Sequence, residues 1–508
     1  VKTILKERSL TPAIRAFIED LVQRWEPLRC EVLAQRDARR KVLSSGDVSF
    51  LEETAHVRQG RWKVADLPAE LMERRVELIG GVTRPELVDG MNVGAKSYIA
   101  DLWNSTSGET WNILRAHRNL ERAAALDLAY LPGNGGRIRI NPGTSTRLMI
   151  APRPLYVLEP AYLIKGEPIA ATFLDLALVL HNCTGPLTAR QGGVYLYLRN
   201  IHGHQEARLW GKLLDMAEEH LGLPRGTFRV TIMVDTINGA LEAEEILFEL
   251  SHHAAGLSMD PQGYASDHIA LFHGGDRPVL PDREQVGLAA PLFRSLSWHL
   301  IGIAHRRGCH AIGAPAFVLP AKEDERVKED YLEMLSDVER QAIDGHDGTI
   351  VVHPGTVNAA MMEFNKNMPR AHQLDHQRKD DITPADLIRR PEGTISVDSL
   401  LGAVRTCLRM LVQGSDGRGW VVQGGRLHDR SSLRLAMRLL WHWCHSEQGV
   451  ISATGLVIGP ELLRYLVRKE SEKMYGQADD RTKALAKRAV NDLLERLLSD
   501  ALPIEPMH

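Results

Sequence analysis

Short apolar, β-branched runs alternate with longer stretches of helical period through the middle of this chain. Val76–Ile79, Ser97–Asp101, Leu148–Ala151, Val194–Leu198, Phe228–Val234, Gly256–Ser258, His310–Gly313 and Thr349–His353 read as strands. Runs this uniformly apolar belong to strands buried on both faces, as in parallel sheets covered by helices. Together they match an α/β fold, a closed (β/α)8 TIM barrel. An open doubly wound sheet gives a similar local pattern, and periodicity alone does not separate the two.

Helical patterns flank this region. Thr11-Pro12 is an N-cap followed by proline, and Ile14, Phe17, Leu21 and Trp25 then recur at helical spacing. The polar run Gln35 to Lys41 reads as a solvated helix face. After about residue 356 the β-signal stops, and Lys483–Leu498 places Ala489, Leu493 and Leu497 on one helix face. Glycine-rich breaks at Gly414–Gly419 and Gly424–Gly425 interrupt this last part. The expected organisation is helical over 1–73, β/α barrel over 74–356 and helical over 357–508, packed as one body.

Charge narrows the partners. Lys+Arg is 62 against Asp+Glu 65, a net −3, which lacks the basic field that nucleic-acid binding needs. Five dispersed cysteines without a CxxC pair imply neither a disulfide framework nor a zinc knuckle, and suit a reducing cytoplasm. The first ten residues lack the apolar run of a signal peptide. The most apolar stretch, Ala170 to Cys183, carries Asp175 and falls short of the roughly 20 residues that span a bilayer, so no membrane partner is expected. A small-molecule substrate is the expected partner, and the terminal helices offer faces on which a second copy can pack.

In a β/α barrel, polar residues at the C-terminal ends of strands face the active-site mouth. That rule selects Asp101, Asn104, Arg153, Asn200, His202, Asp235, Asp260, His310 and His353. Asp235 ends an almost wholly apolar strand, as a metal ligand, an acid/base or a helix N-cap would. Gly345–Gly355 is a glycine-rich turn, a strand and a His-Pro-Gly turn, which either brings backbone close to a ligand or simply brackets a core strand. His252-His253 points to two helix faces, and His442 and His445 sit in an aromatic stretch that reads as packing. A P-loop, a dinucleotide GxGxxG, a GxSxG elbow and an HExxH are all absent from the sequence.

Taken in order, Ala69–Glu77, Leu280-Pro281-Asp282-Arg283, Gly345–Gly355 and Leu440-Trp441-His442-Trp443 resemble the malate synthase A family. The resemblance covers nearly the whole chain. It implies a β/α barrel with an N-terminal helical clasp and a C-terminal helical plug. It also implies condensation of acetyl-CoA with glyoxylate: Mg²⁺ and an arginine polarise glyoxylate, and an aspartate removes a methyl proton from acetyl-CoA. The weakly acidic thioester α-proton needs a positioned base and a stabilised enolate oxygen, and the aldehyde needs a Lewis acid.

Carried over residue by residue, the family's parts are unevenly present. Its GLMEDAATAE run corresponds to Gly425–Ser432, where Asp429 keeps the acid, His428 replaces a glutamate and Arg430 replaces a small residue. Arg426 and Arg430 would depress the Asp429 pKa if they pointed inward. The run that carries the glyoxylate-binding arginine reads Ala151-Pro152-Arg153, so the first arginine is Ala151 and only the second, Arg153, remains. Asp235 matches a metal-binding glutamate, whereas the second metal carboxylate is Gly263, leaving Asp260 or Asp267 to substitute only in a rebuilt loop. The acidic DFEDS run is Asp101-Leu102-Trp103-Asn104-Ser105. Mg²⁺ wants octahedral oxygen ligation with one or two carboxylates, and Asp235 alone is a poor start. The PKxES run is Arg199-Asn200-Ile201-His202-Gly203, and MGGMAAF is the shorter Ile312–Phe317.

The resulting candidates are Asp429, Arg153 and His428 for catalysis, with Asp235 as the one metal ligand. Gly313, Gly348, Thr349, His353 and Pro354 are the candidates for holding a CoA thioester. Three readings stay open. The chain is an acyl-thioester enzyme using Asp429 as base or acid without the Mg²⁺–glyoxylate site, an ordinary malate synthase, or a non-catalytic binding member in which Asp429 pairs with Arg426 or Arg430.

Overall fold

The computed structural model describes residues 10–133, 135–274, 279–320, 325–413 and 417–503; the expectations for residues 1–9 and for Gly414 lie outside them. Eight parallel strands close into a barrel: β1 (Val76–Gly80), β2 (Ser97–Asp101), β3 (Arg147–Ala151), β4 (Val194–Leu198), β5 (Phe228–Val234), β6 (Ala254–Met259), β7 (His310–Ala316) and β8 (Gly348–Val351). Each strand pairs with its sequence neighbours and β8 returns to β1, with Val76 opposite Thr349. Closure excludes the open sheet. β8 ends at Val351, so His353 stands in the turn beyond it.

Two shells of apolar side chains hold the barrel. Val76, Leu78, Leu148, Leu196 and Val230 face outward into the helices. Ile79, Ile99, Met149, Ala151, Tyr197, Met233 and Ile350 fill the interior. The split follows the period of two along a strand. The lower interior is closed by a charged group: Arg74 donates to both oxygens of Glu77 (2.9 and 3.0 Å) and to the Tyr197 hydroxyl (2.8 Å). His310 begins β7 and is buried at this lower end, near Asp347 and Arg74, so it does not face the mouth.

The helices used below are α1 (Pro12–Ser44), α2 (Pro261–Phe272), α3 (Glu325–Asp344), α4 (Val397–Val412), α5 (Arg430–Cys444), α6 (Pro460–Tyr475) and α7 (Asp480–Leu497). Thr11 caps α1 through its hydroxyl, and Ile14, Phe17 and Leu21 are buried against the barrel's helices. The Gln35 to Lys41 run is not purely a solvated face. Arg40 reaches Asp267 on α2 at 2.6 Å, and Arg39 donates to Asn238. Helices α4, α5, α6 and α7 pack into a body over the barrel; Ala489, Leu493 and Leu497 of α7 are buried in it. Ala171–Asn182 is a buried helix, and no helix among the described residues is long and apolar enough to cross a membrane.

One feature corrects the expectation that β-structure ends near residue 356. A hairpin, β9 (Val421–Gln423) and β10 (Arg426–His428), precedes α5. Its turn is Gly424-Gly425, both with positive φ (57° and 73°), as a two-residue hairpin turn demands. The hairpin docks on the chain leaving β7: Leu427 N donates to Phe317 O and Leu319 N to Gly425 O, each at 2.9 Å. That docking carries residue 429 over the barrel mouth.

Candidate active site

The alternation that turns Ile99, Tyr197 and Met233 inward brings Asp101, Arg199 and Asp235 toward the same axis at the next inward position. Arg199 lies between two acids. Its Nη1 is 3.2 Å from Asp260 Oδ2 and its Nη2 is 3.4 Å from Asp101 Oδ2. Its Nε is buried with no hydrogen-bond partner. The other oxygens of these acids are held by backbone. Asp101 Oδ1 accepts from the N–H groups of Trp103 and Asn104 (2.9 and 3.0 Å). Asp260 Oδ1 caps α2, accepting from Gln262 and Gly263.

Asn200 follows with φ 53°, a left-handed conformation that asparagine tolerates. This turn aims its backbone N–H (3.1 Å) and its Nδ2 (2.8 Å) at the Asp235 carboxylate. Burial, with Asp260 adding to it, pushes the Asp235 carboxyl up to about 7.

Asp429 ends the hairpin and caps α5. Its Oδ1 accepts from Ser432 N (3.0 Å) and from the Ser431 hydroxyl (2.6 Å). The Ser432 hydroxyl donates to Gln262 Oε1 on α2 at 2.8 Å, and Ser431 Oγ lies 3.3 Å from the same oxygen, which ties the carboxylate's support to the barrel. Burial raises the Asp429 pKa; the two serine bonds oppose it, and Asp260 and Asp101 add to it. Both neighbouring arginines have partners of their own. Arg426 turns away to grip Asp330 of α3 (2.6 and 3.1 Å), and Arg430 lies over the Trp103 ring, donating to Trp103 O.

Asp429 and Arg199 line one cavity of about 540 Å³, whose walls include Gly80, Phe317, Leu427, Trp420, His353 and Pro354. That volume is in the range of small-molecule and cofactor pockets, and the mix of apolar wall and few polar groups is typical of them. The Trp420 indole is fixed by donation to Glu86 at 2.6 Å. His353 and Pro354, two of the five candidates for holding a thioester, are therefore on the cavity wall.

Several other candidates are elsewhere. Arg153, one residue pair beyond the end of β3, points away from the axis. It clamps Asp175 (2.7 to 3.2 Å) and Glu159 (2.8 Å), all buried, so it is a structural ion-pair centre. His428 alternates with Leu427 and faces a second, smaller cavity of about 190 Å³ with Arg283 and Arg426. Burial, and then Arg283, push its pKa down to about 3, which favours the neutral imidazole. Gly313 and Thr349 pack against Gln341 of α3, and a Cβ on Gly348 would strike the Arg74 carbonyl at the lower end of the barrel. Those three positions shape the barrel wall and line neither cavity. Asp267 is taken up by Arg40 and by Ile237 N.

The acidic oxygens of the mouth already carry protein contacts. Asp101 and Asp260 each spend one oxygen on backbone N–H groups and turn the other to Arg199. Both Asp235 oxygens accept from Asn200. Gly263, at the position of the missing second carboxylate, faces this cluster: a Cβ there would lie 2.7 Å from Asp235 Cβ. The single three-ligand cluster among the described residues, Asp215, Glu218 and His253, adjoins the start of β5 at the opposite end of the barrel. Its atoms are occupied by Arg225, by Phe228 and by one another.

Arg199, Ser431, Ser432 and Gln262 were not singled out as catalytic candidates. Arg199 carried a legible signal, since it continues the inward series Tyr195, Tyr197. The two serines and Gln262 act through contacts between distant segments, for which the sequence has no local mark.

Fold and mouth together define a TIM-barrel protein with a buried carboxylate delivered over the barrel by a C-terminal helical body. Comparison with known proteins is consistent with that class. The family description "Malate synthase, TIM barrel domain" matches residues 147–390. The malate synthase of Myxococcus xanthus (strain DK1622) is 34% identical over 440 residues, 86% of this chain and 81% of that protein. The malate synthase of Streptomyces clavuligerus is 33% identical over 477 residues, 92% and 88% of the two chains. Malate synthase A of Escherichia coli (strain K12) is 28% identical over 469 residues, 92% and 87%. The chain belongs to the malate synthase family.

Proposed function

We propose that this chain is an acyl-thioester enzyme in which Asp429 is the general base and acid at the α-carbon of a CoA-type thioester. The supporting observation is the Asp429 carboxylate itself. It is buried, lines the larger cavity, is oriented by Ser431 and Ser432, and has a pKa raised by burial. A base of raised pKa matches a weakly acidic carbon proton better than an ordinary carboxylate does.

The thioester lies along the cavity from the His353-Pro354 rim to Arg199 and Asp429. Asp429 takes an α-proton, and the C–H electron pair moves into the thioester as an enolate. The enolate carbon attacks the carbonyl carbon of an electrophile. That carbonyl's π pair becomes an alkoxide, which regains a proton. Attack of water on the thioester then releases the acid and the free thiol. Run backward from the condensed thioester, the same groups cleave the carbon–carbon bond.

The relatives named malate synthase favour acetyl-CoA and glyoxylate as the first substrates to offer. Acetyl-CoA in D₂O, followed by NMR, tests the base: wild-type protein should exchange the methyl protons and Asp429→Asn should not. Free-thiol release on adding glyoxylate tests condensation. Silence in both, with a folded protein, would favour the non-catalytic reading.

A further inference from the structure

The strand register puts Arg199 beside the position that the family resemblance gives to a substrate-polarising arginine. β3 ends at Ala151, the position that the family resemblance gives to the substrate-polarising arginine. Asp101 of β2 is the register partner of Ala151, and β4 lies on the other side of β3. The Arg199 side chain, leaving the end of β4, reaches Asp101 and therefore passes over Ala151. Its other amino group reaches Asp260, beyond the end of β6. One guanidinium thus spans the mouth.

This guanidinium has donors to spare. Five N–H groups are present and two ion-pair contacts are made, at distances longer than a tight charge-assisted bond. The Nε is buried and unpartnered, and the residue lines the same cavity as Asp429. A planar fork of buried donors is suited to a carboxylate with an adjacent carbonyl oxygen.

We propose that Arg199 is the substrate-binding cation of this mouth, holding the carboxylate and carbonyl oxygens of a small 2-oxo acid next to Asp429 without a divalent metal. The catalytic use of that bound acid rests on the thioester reading of Asp429. Its binding does not.

The test is calorimetric titration of glyoxylate into the full chain in EDTA and again with Mg²⁺, for wild type, Arg199→Lys and Arg199→Met. Binding should be the same with and without Mg²⁺. It should weaken by about 10- to 100-fold in Arg199→Met, the value of a charged hydrogen bond or two, and less in Arg199→Lys. Melting curves check that the variants fold, and Arg199→Lys, which keeps the charge, carries the comparison if Arg199→Met does not fold. Binding that appears only with Mg²⁺, binding equal in the variants, or no binding by wild type would overturn the proposal. Acetyl-CoA proton exchange, measured without glyoxylate, reports Asp429 separately. Its absence beside Arg199-dependent glyoxylate binding would sink the thioester reading and leave this inference standing.

Discussion

Gly263 lies against Asp235 so closely that a Cβ on it would stand 2.7 Å from the Asp235 Cβ and 3.4 Å from Asp260 Oδ2. The glycine lets Asp235 settle between Asn200 and the N-terminus of α2, leaving little room for a side chain at position 263. Gly263→Asp is therefore expected not to create a Mg²⁺ site. Overpacking should cost about 1–3 kcal/mol. Urea unfolding in the presence and absence of Mg²⁺ checks both points. A midpoint that recovers only with Mg²⁺ would show that the mouth retains a latent metal geometry.

Asp429→Asn keeps the shape of the α5 cap, since asparagine also accepts from a helix N–H. It removes the base. Proton exchange of acetyl-CoA is expected to fall by about 10²- to 10⁴-fold, with the melting temperature held or raised because a buried carboxylate has gone. Asp429→Ala should lose the exchange and also about 1 kcal/mol of cap stability. Exchange that survives in Asp429→Asn would move the base elsewhere.

The barrel was legible because buried parallel strands leave an apolar signature; Ser97–Asp101, Val194–Leu198 and Phe228–Val234 have the bounds their sequence implies. Asp429, expected through its resemblance to a family run, lines the larger cavity. The β9–β10 hairpin was not legible, because Gly424-Gly425 reads equally as a loop break and the strands are three residues each. Arg153 misled for a geometric reason. The rule for barrel mouths holds while a strand keeps its alternation, and β3 ends two residues earlier, at Ala151. His310 misled because it opens its strand instead of closing it.

Arg153→Met separates the structural role from a catalytic one. The substitution leaves Asp175 and Glu159 buried without their cation, a loss of about 3–5 kcal/mol for a broken buried pair. The folded fraction should keep the acetyl-CoA exchange rate and the glyoxylate affinity of wild type. A variant with wild-type stability but weakened glyoxylate binding would return Arg153 to the active site.

Glu206 provides a stability test that depends on pH. It is buried on the helix that follows β4, with its Oε1 unpartnered, and burial, opposed by Arg36, raises its pKa to about 8. The folded state therefore prefers the protonated form, whereas the unfolded chain releases the proton near pH 4.5. The stabilisation from holding that proton is complete below the unfolded value and is lost as pH rises through about 8. Glu206→Gln is neutral at every pH and lacks this loss. Its stability relative to wild type should thus climb between pH 5 and pH 9, reaching roughly 2–4 kcal/mol in favour of the variant. Urea midpoints across that range measure it. A constant difference would mean that Glu206 is ionised in the fold at neutral pH, with Arg36 outweighing the cost of burial.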